Sequence, residues 1–414
     1  MDQPRSTYIY RIINIPELRN LKVEIRTEGE KLRSRVAGVS SPLIRCFIKY
    51  YISSHNPLGI LGRHNEGNVY SLYFPPVPSP AHGRMFESLI STLIFKRPLP
   101  LAATIGITDR CQYACRHCSA AGRDPDRPVM TTDEILKVVD QCLELGVSNI
   151  TFTGGEPLLH NDLAEIISHV PPEKAVTQFF TNAAELTADK VAELKAAGLY
   201  GLQISLDDAD PGAHDRLRGF EGAFAAVKRG FTEARRAGLL VGLSTYATRD
   251  RLQNGLLPRL AELASSWGAR ELTVFDAIET GNMRGEKELL LDYSSRRRII
   301  KETKVINRKH RGRFRLIPQT WTNSRKGFSR FIGCLAAKFQ VHITAQGDLI
   351  PCDFTPLSFG NIRECSVKEL WQKLISHPAY CRQVHHCRMQ DPGFRKTYIE
   401  TIPENAYLPY RIDL

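Results

Sequence analysis

Six short runs of β-branched and apolar residues, at 103–107, 149–153, 175–180, 202–206, 240–246 and 271–275, alternate with amphipathic helical stretches between residues 101 and 279. No hairpin signal separates them, so each strand is expected to reach the next through a helical crossover and to run parallel to it. The expected fold is α/β, a partial (β/α)6 barrel; a doubly wound sheet is the other arrangement the pattern allows. Both gather functional groups at the carboxyl ends of the strands. The helix over 132–145 shows the local logic: Thr132 followed by Asp133 and Glu134 reads as its N-cap, and Gly146 as its stop.

The remainder of the 414 residues falls on either side of this core, taken as 99–315. Residues 1–98 form an accessory region of mixed periodicity and no legible role, in which the Pro-rich stretch 74–83 reads as a rigid loop. Residues 316–414 lose periodicity and regain cysteine, Gly and Pro, the profile of a small domain held by metal instead of a large core. A composition of 42% hydrophobic and 24% charged residues excludes disordered and fibrous classes. No apolar run approaches the ~20 residues that cross a bilayer, and the start MDQPRSTYIYR has no basic stretch leading into an apolar core. We therefore expect a cytoplasmic protein with no transmembrane segment.

The net charge of +12 is concentrated. Residues 296–315 carry ten basic side chains against the single acid Glu302. A solvated helical face explains such a window, as does a docking surface for an acidic partner, since clustered charge accelerates encounter. Nucleic acid is not expected, because no recognised binding motif accompanies the patch.

Ten cysteines in a chain of this character read as metal ligands or reactive thiols, not as a disulfide framework. Cys111, Cys115 and Cys118 sit in the loop directly after the first predicted strand. Three thiolates there can hold three irons of a 4Fe-4S cubane and leave the fourth iron open to a ligand. Zinc is the competing occupant, but it usually takes four ligands, and His117 or a distant residue would have to complete the set.

This CxxxCxxC segment resembles the radical S-adenosylmethionine superfamily, whose core is a TIM-like partial barrel. Thr153-Gly154-Gly155-Glu156-Pro157 after the second strand is similar to the family's GGEP segment. Thr181-Asn182 after the third is similar to its TNG, with Ala183 at the usual glycine. Ser205-Leu206-Asp207, His214-Asp215 and Arg218-Gly219 resemble its SLDG, HD and RG segments, with Asp208 in place of glycine. The resemblance implies that the open iron binds S-adenosylmethionine, and that reductive cleavage releases a 5′-deoxyadenosyl radical. It implies further that Gly154, Gly155, Glu156 and Pro157 hold the methionine amino end. Asn182, Ser205, Thr245 and His117 would line the rest of the cofactor, with His117 near the adenine and Asp207 structural.

Cys334, Gly347 and Cys352 are spaced like the opening of the SPASM and twitch domains, and 341–352 reads as a hairpin turning at Gln346-Gly347. The resemblance implies a second, auxiliary 4Fe-4S cluster on Cys334, Cys352, Cys381 and Cys387, with Cys365 as a competing ligand or one iron left open. The dense cysteine run of a full SPASM domain is missing, so a single auxiliary cluster is expected. Cys142 falls on the apolar face of its helix and Cys46 sits in LIRCFIKYY; both read as core thiols.

The reading is a radical S-adenosylmethionine enzyme that takes its electron from a flavodoxin or ferredoxin and acts on a ribosomally made peptide. Alternatives are a tetrapyrrole, cofactor precursor, lipid or other small molecule as substrate. A non-enzymatic iron-sulfur carrier or sensor would need the cysteines but neither GGEP nor SLD.

Overall fold

A computed structural model of the chain describes residues 7–11, 15–65, 67–319 and 333–412. Strands β1 (Thr7–Arg11), β2 (Lys22–Glu28) and β3 (Lys31–Ala37) form an antiparallel sheet in that order. Helix α1 (Pro42–Ser53), capped by the Ser41 side chain, packs on it through Ile44, Ile48, Tyr51 and Ile52. Cys46 is exposed, against the expectation of a core thiol, because it lies off this 3–4-spaced stripe. The short hairpin β4 (Gly62–His64) and β5 (Gly67–Val69) and helix α2 (Pro80–Leu93) complete this region, which has its own core.

The large sheet is built by β6 (Ala102–Thr108), β7 (Asn149–Gly154), β8 (Val176–Thr181), β9 (Gly201–Ser205), β10 (Leu240–Ala247) and β11 (Glu271–Asp276), neighbours in sequence order and all parallel. Every predicted run matches one of these strands to within a residue or so. Helix α3 (Thr132–Glu144) begins one residue earlier than read: Thr131 is the cap, since Glu134 at the third position closes a capping box with it. Across these six strands the order never reverses. With right-handed crossovers, such an order places every helix on one face and excludes a doubly wound sheet, which needs a switch point.

The sheet extends beyond the six predicted strands at both edges. β12 (Arg315–Gln319) adds parallel to β11, and β13 (Gln340–Ile343) adds parallel to β6 from the far end of the chain. β14 (Leu349–Ile350) returns antiparallel through a turn at Gly347, whose φ of 86° favours glycine, giving nine strands. A bidentate contact from Arg363 to Glu134, with further bonds to the carbonyls of Pro128 and Val129, fastens the C-terminal region to α3. Helix α11 (Val367–Ser376) buries Trp371, whose indole N–H donates to the Pro98 carbonyl.

The accessory region closes the amino ends of the strands. Asn149 donates to the Leu72 carbonyl, Tyr200 to the Phe74 carbonyl and Tyr73 to Thr273. The stretch at 74–83 thus belongs to the floor of the barrel, and the cysteine loop opens at the opposite rim. Among the described residues no helix is long and apolar enough to cross a membrane.

Candidate active site

The loop after β6 is shaped by glycines that let other backbone close on it. Gly154, with φ of 143°, would place a Cβ 2.0 Å from the Thr108 carbonyl oxygen, and Gly155 one 2.1 Å from that of Arg110. Gly155 N donates to Thr108 O at 2.7 Å and Glu156 N to Arg110 O at 2.8 Å. A side chain at either position would push the end of β7 off the cysteine loop.

The Glu156 carboxylate is fully committed inside the protein. It accepts from Thr181 Oγ1 and the Asn182 backbone N, each at 2.7 Å, and from Leu158 N at 3.2 Å. It braces the ends of β7 and β8, and burial raises its pKa to about 7. The ammonium-binding role implied by the GGEP resemblance therefore has to come from neighbouring backbone or from a carboxylate already shared with three donors. Pro157 opens a buried turn behind it. The Asn182 side chain reaches back to Gln112 in the cysteine loop at 3.3 Å.

Asp207, completely buried, is the electrostatic centre of the rim. Its Oδ2 lies 2.6 Å from Arg218 Nε and 3.9 Å from His117 Nε2, and its Oδ1 accepts from Thr245 Oγ1 at 3.2 Å. Burial works against the charge, but the guanidinium groups of Arg218 and Arg251 outweigh it and hold the carboxyl well below its usual range. The Asp207 backbone N–H donates to His214 Nδ1 at 3.0 Å, and Asp215 accepts from the N–H groups of Gly222 and Phe224. Gly219 adopts φ of 62° where a Cβ would meet the Ala114 carbonyl at 2.6 Å. The HD and RG pairs thus shape the turn that seats Arg218 beside the cysteine loop.

Arg218 Nη1 lies 3.7 Å from Cys115 Sγ. Burial raises the Cys115 thiol pKa, and the guanidinium counters it; at Cys111 burial pushes the value up to about 11. His117 stacks on Tyr246 with ring centroids 3.7 Å apart, and Arg251 covers the same tyrosine at 4.3 Å. Burial lowers the His117 pKa to about 3, so the ring is neutral. Ser205 is half-buried at the end of β9, while Thr245 spends its hydroxyl on Asp207.

Gly281 and Asn282, after β11, carry no signal that periodicity or spacing could reveal. Asn282 N donates to Cys118 O at 3.0 Å and its side chain to Cys115 O at 2.9 Å, while a Cβ at Gly281 would fall 2.0 Å from Cys118 O. They clasp the cysteine loop from the far side of the barrel.

In the C-terminal region Cys334, Cys352 and Cys387 approach closely enough to perturb one another. Burial is the main cause of their raised pKa values, and their mutual repulsion adds to it at Cys352, held at about 12, and at Cys387. Cys381 is exposed and its thiol donates to Pro378 O. Cys365 packs at the core margin beside Lys373 Nζ at 3.5 Å. Of the four ligands the resemblance implied, the structure brings together three.

The sequence matches the Radical SAM superfamily over residues 105–248 and an iron-sulfur cluster-binding domain, SPASM, over residues 334–389. The chain is a SPASM-containing radical SAM enzyme. It is similar to the AdoMet-dependent heme synthase of Nitratidesulfovibrio vulgaris, 28% identical over 287 residues that cover 64% of this chain and 77% of that protein. It is equally similar to the PqqA peptide cyclase of Xanthomonas campestris pv. campestris, 28% identical over 285 residues that cover 66% and 74%. In fold it resembles Streptococcus suis SuiB bound to precursor peptide SuiA, with a TM-score of 0.56 and 17% identity over 66% of this chain and 65% of that one.

A radical SAM domain implies a 4Fe-4S cluster and S-adenosylmethionine, and a SPASM domain implies auxiliary iron-sulfur binding. The residues present fit both. Among the described residues no three His, Cys, Asp or Glu side chains close on a single metal ion; a cubane instead spreads its thiolates over separate irons. Cys111, Cys115 and Cys118 supply an all-sulfur donor set on one loop, and His117 Nδ1, Gln112 Nε2 and the Tyr113 hydroxyl, buried around that loop, have no protein partner. When bound, the catalytic cluster delivers the electron that cleaves the sulfonium. The protein holds Arg218 against the Cys115 sulfur, stacks the neutral His117 ring on Tyr246 beside the cysteine loop, and keeps that loop closed through Gly154, Gly155 and Asn282.

Proposed function

We propose that this radical SAM enzyme removes a hydrogen atom from a ribosomally made peptide and thereby modifies it. The carrying observation is the accessory region: its antiparallel sheet has its own core, and β3 has no strand partner on its outer edge among the described residues. Extended peptides bind such edges through main-chain hydrogen bonds, and a peptide cyclase is among the relatives that match over two thirds of this chain. We place the enzyme in the reducing cytoplasm, where its ten free cysteines stay reduced. The domain limits we propose are 1–98, 99–315 and 316–414, with β13 reaching back into the barrel sheet.

The test is a search beside the gene for an encoded short peptide, followed by anaerobic turnover of such a peptide by the reconstituted enzyme with S-adenosylmethionine and dithionite. A mass change in that peptide matched by 5′-deoxyadenosine supports the reading. The heme synthase relatives favour a second substrate, a tetrapyrrole. Turnover of a porphyrin with no change in the peptide would decide for it.

For the electron donor we propose a flavodoxin or ferredoxin docked on helix α10 (Tyr293–Lys309). Arg297, Lys301 and Lys304 line one groove there with exposed Tyr293 and Val305, and Arg296 is anchored to Asp276 beneath. Charge reversal of those three cations should slow reduction at low salt and not at high salt. Equal rates at low salt would reject the docking site.

A further inference from the structure

The rim of the barrel and the C-terminal domain line a cleft of about 80 Å3, partly open to solvent. Gly154 at the end of β7 and Ser119 just past the cysteine loop form one wall, and His342, Asp353 and Thr355 form the other. The first wall is the cofactor's side, so the cleft lies where a substrate would approach it. Reading it as the substrate's place rests on the function proposed above.

His342 stands out on the second wall. It sits on β13, opposite Thr104 of β6, so its position is fixed by the barrel sheet itself. Its side chain is only 5% exposed. The Nδ1 atom lies 2.9 Å from Asp353 Oδ1, and the other oxygen of Asp353 accepts from Gln340 Nε2 at 2.7 Å. Asp353 is acceptor-only as a carboxylate, which assigns a proton to Nδ1, so that in the neutral ring Nε2 carries the lone pair. That Nε2 is buried and has no hydrogen-bond partner in the protein. A buried acceptor without a partner is destabilising, and a side chain locked by a carboxylate and a sheet cannot turn away to relieve it.

We propose that His342 Nε2 is the polar anchor of the substrate site, accepting a hydrogen bond from a hydroxyl or amide N–H of the bound molecule. Asp353 and Gln340 fix the ring for that contact. The site therefore selects a substrate that carries a donor group beside the carbon presented to the cofactor, and it disfavours a purely apolar one, which would leave Nε2 unpaired.

The experiment is calorimetric titration of the reconstituted enzyme with two probes: N-acetylserine methylamide, which carries peptide-type donors, and 1,2-propanediol, which carries hydroxyls alone. We expect the serine probe to bind. Binding of the diol alone supports the anchor and counts against a peptide substrate, and binding of neither probe overturns the proposal. The variant His342→Gln should bind the serine probe at least ten-fold more weakly in calorimetry, with its circular dichroism unchanged; wild-type affinity would also overturn it.

Discussion

Arg218 and Asp207 form a buried ion pair, 2.6 Å from Nε to Oδ2, whose guanidinium also reaches the Cys115 sulfur. Removing one member of such a pair strands the other charge. Arg218→Met should destabilise the cluster-free protein by about 3–5 kcal/mol in urea unfolding. The double variant with Asp207→Asn should lose clearly less than the two single losses together. Additive losses would show that the two side chains do not depend on each other.

Cys115→Ala should abolish 5′-deoxyadenosine formation in dithionite-reduced, reconstituted enzyme. Undiminished cleavage would remove Cys115 from the catalytic cluster. Cys352→Ala, on the C-terminal side, should depress substrate turnover more than cleavage of S-adenosylmethionine.

The auxiliary ligand set can be read from iron content. Cys387→Ala should lose one cluster's iron and its share of the visible absorption, while Cys381→Ala should retain both. Equal iron loss in the two variants would put Cys381 among the ligands and require its exposed loop to fold inward.

Two buried histidines make a pH signature. Burial lowers His117 to about 3 and His214 to about 4. Below the unfolded value of ~6.5 the unfolded chain takes up protons that the folded one does not, so stability falls as pH falls. The slope should approach ~1.4 kcal/mol per pH unit for each histidine between pH ~6 and ~4. His214→Asn should reduce the slope by about one histidine's share; an unchanged slope would mean that His214 is already charged in the folded state.

Ala183 sits at φ 65°, and its Cβ lies 2.9 Å from where a Cβ on Gly230 would be. The glycine on α7 (Ala223–Arg236) makes room for the methyl that strains the loop after β8. Gly230→Ala alone should cost about 1–3 kcal/mol by overpacking. The exchange Ala183→Gly with Gly230→Ala should recover part of that loss in thermal unfolding, because it removes the nearest clash and the left-handed alanine together and leaves only the contact with Leu186.

The parallel strands were legible because burial on both faces leaves continuous apolar runs, and the cysteine loop because three thiols within one turn of chain have few other uses. β12 and β13 were not, since their pairing partners lie at the two edges of a sheet whose closure is decided in three dimensions. Asp207 read as structural from its motif, yet its depth as a charge hub depends on Arg218 and Arg251, which are distant in sequence. Gly281 and Asn282 escaped because a residue that clasps another loop by backbone contacts leaves no periodic trace. His342 looked like one more polar residue in a hairpin; only the cleft beside it gives its second nitrogen meaning.

Because β13 is hydrogen-bonded to β6, the two groups of cysteines hang from adjacent strands of a single backbone ladder. Their separation is then set by covalent rise and interstrand spacing instead of by a hinge, so electron movement between the two sulfur nests should be insensitive to solvent viscosity.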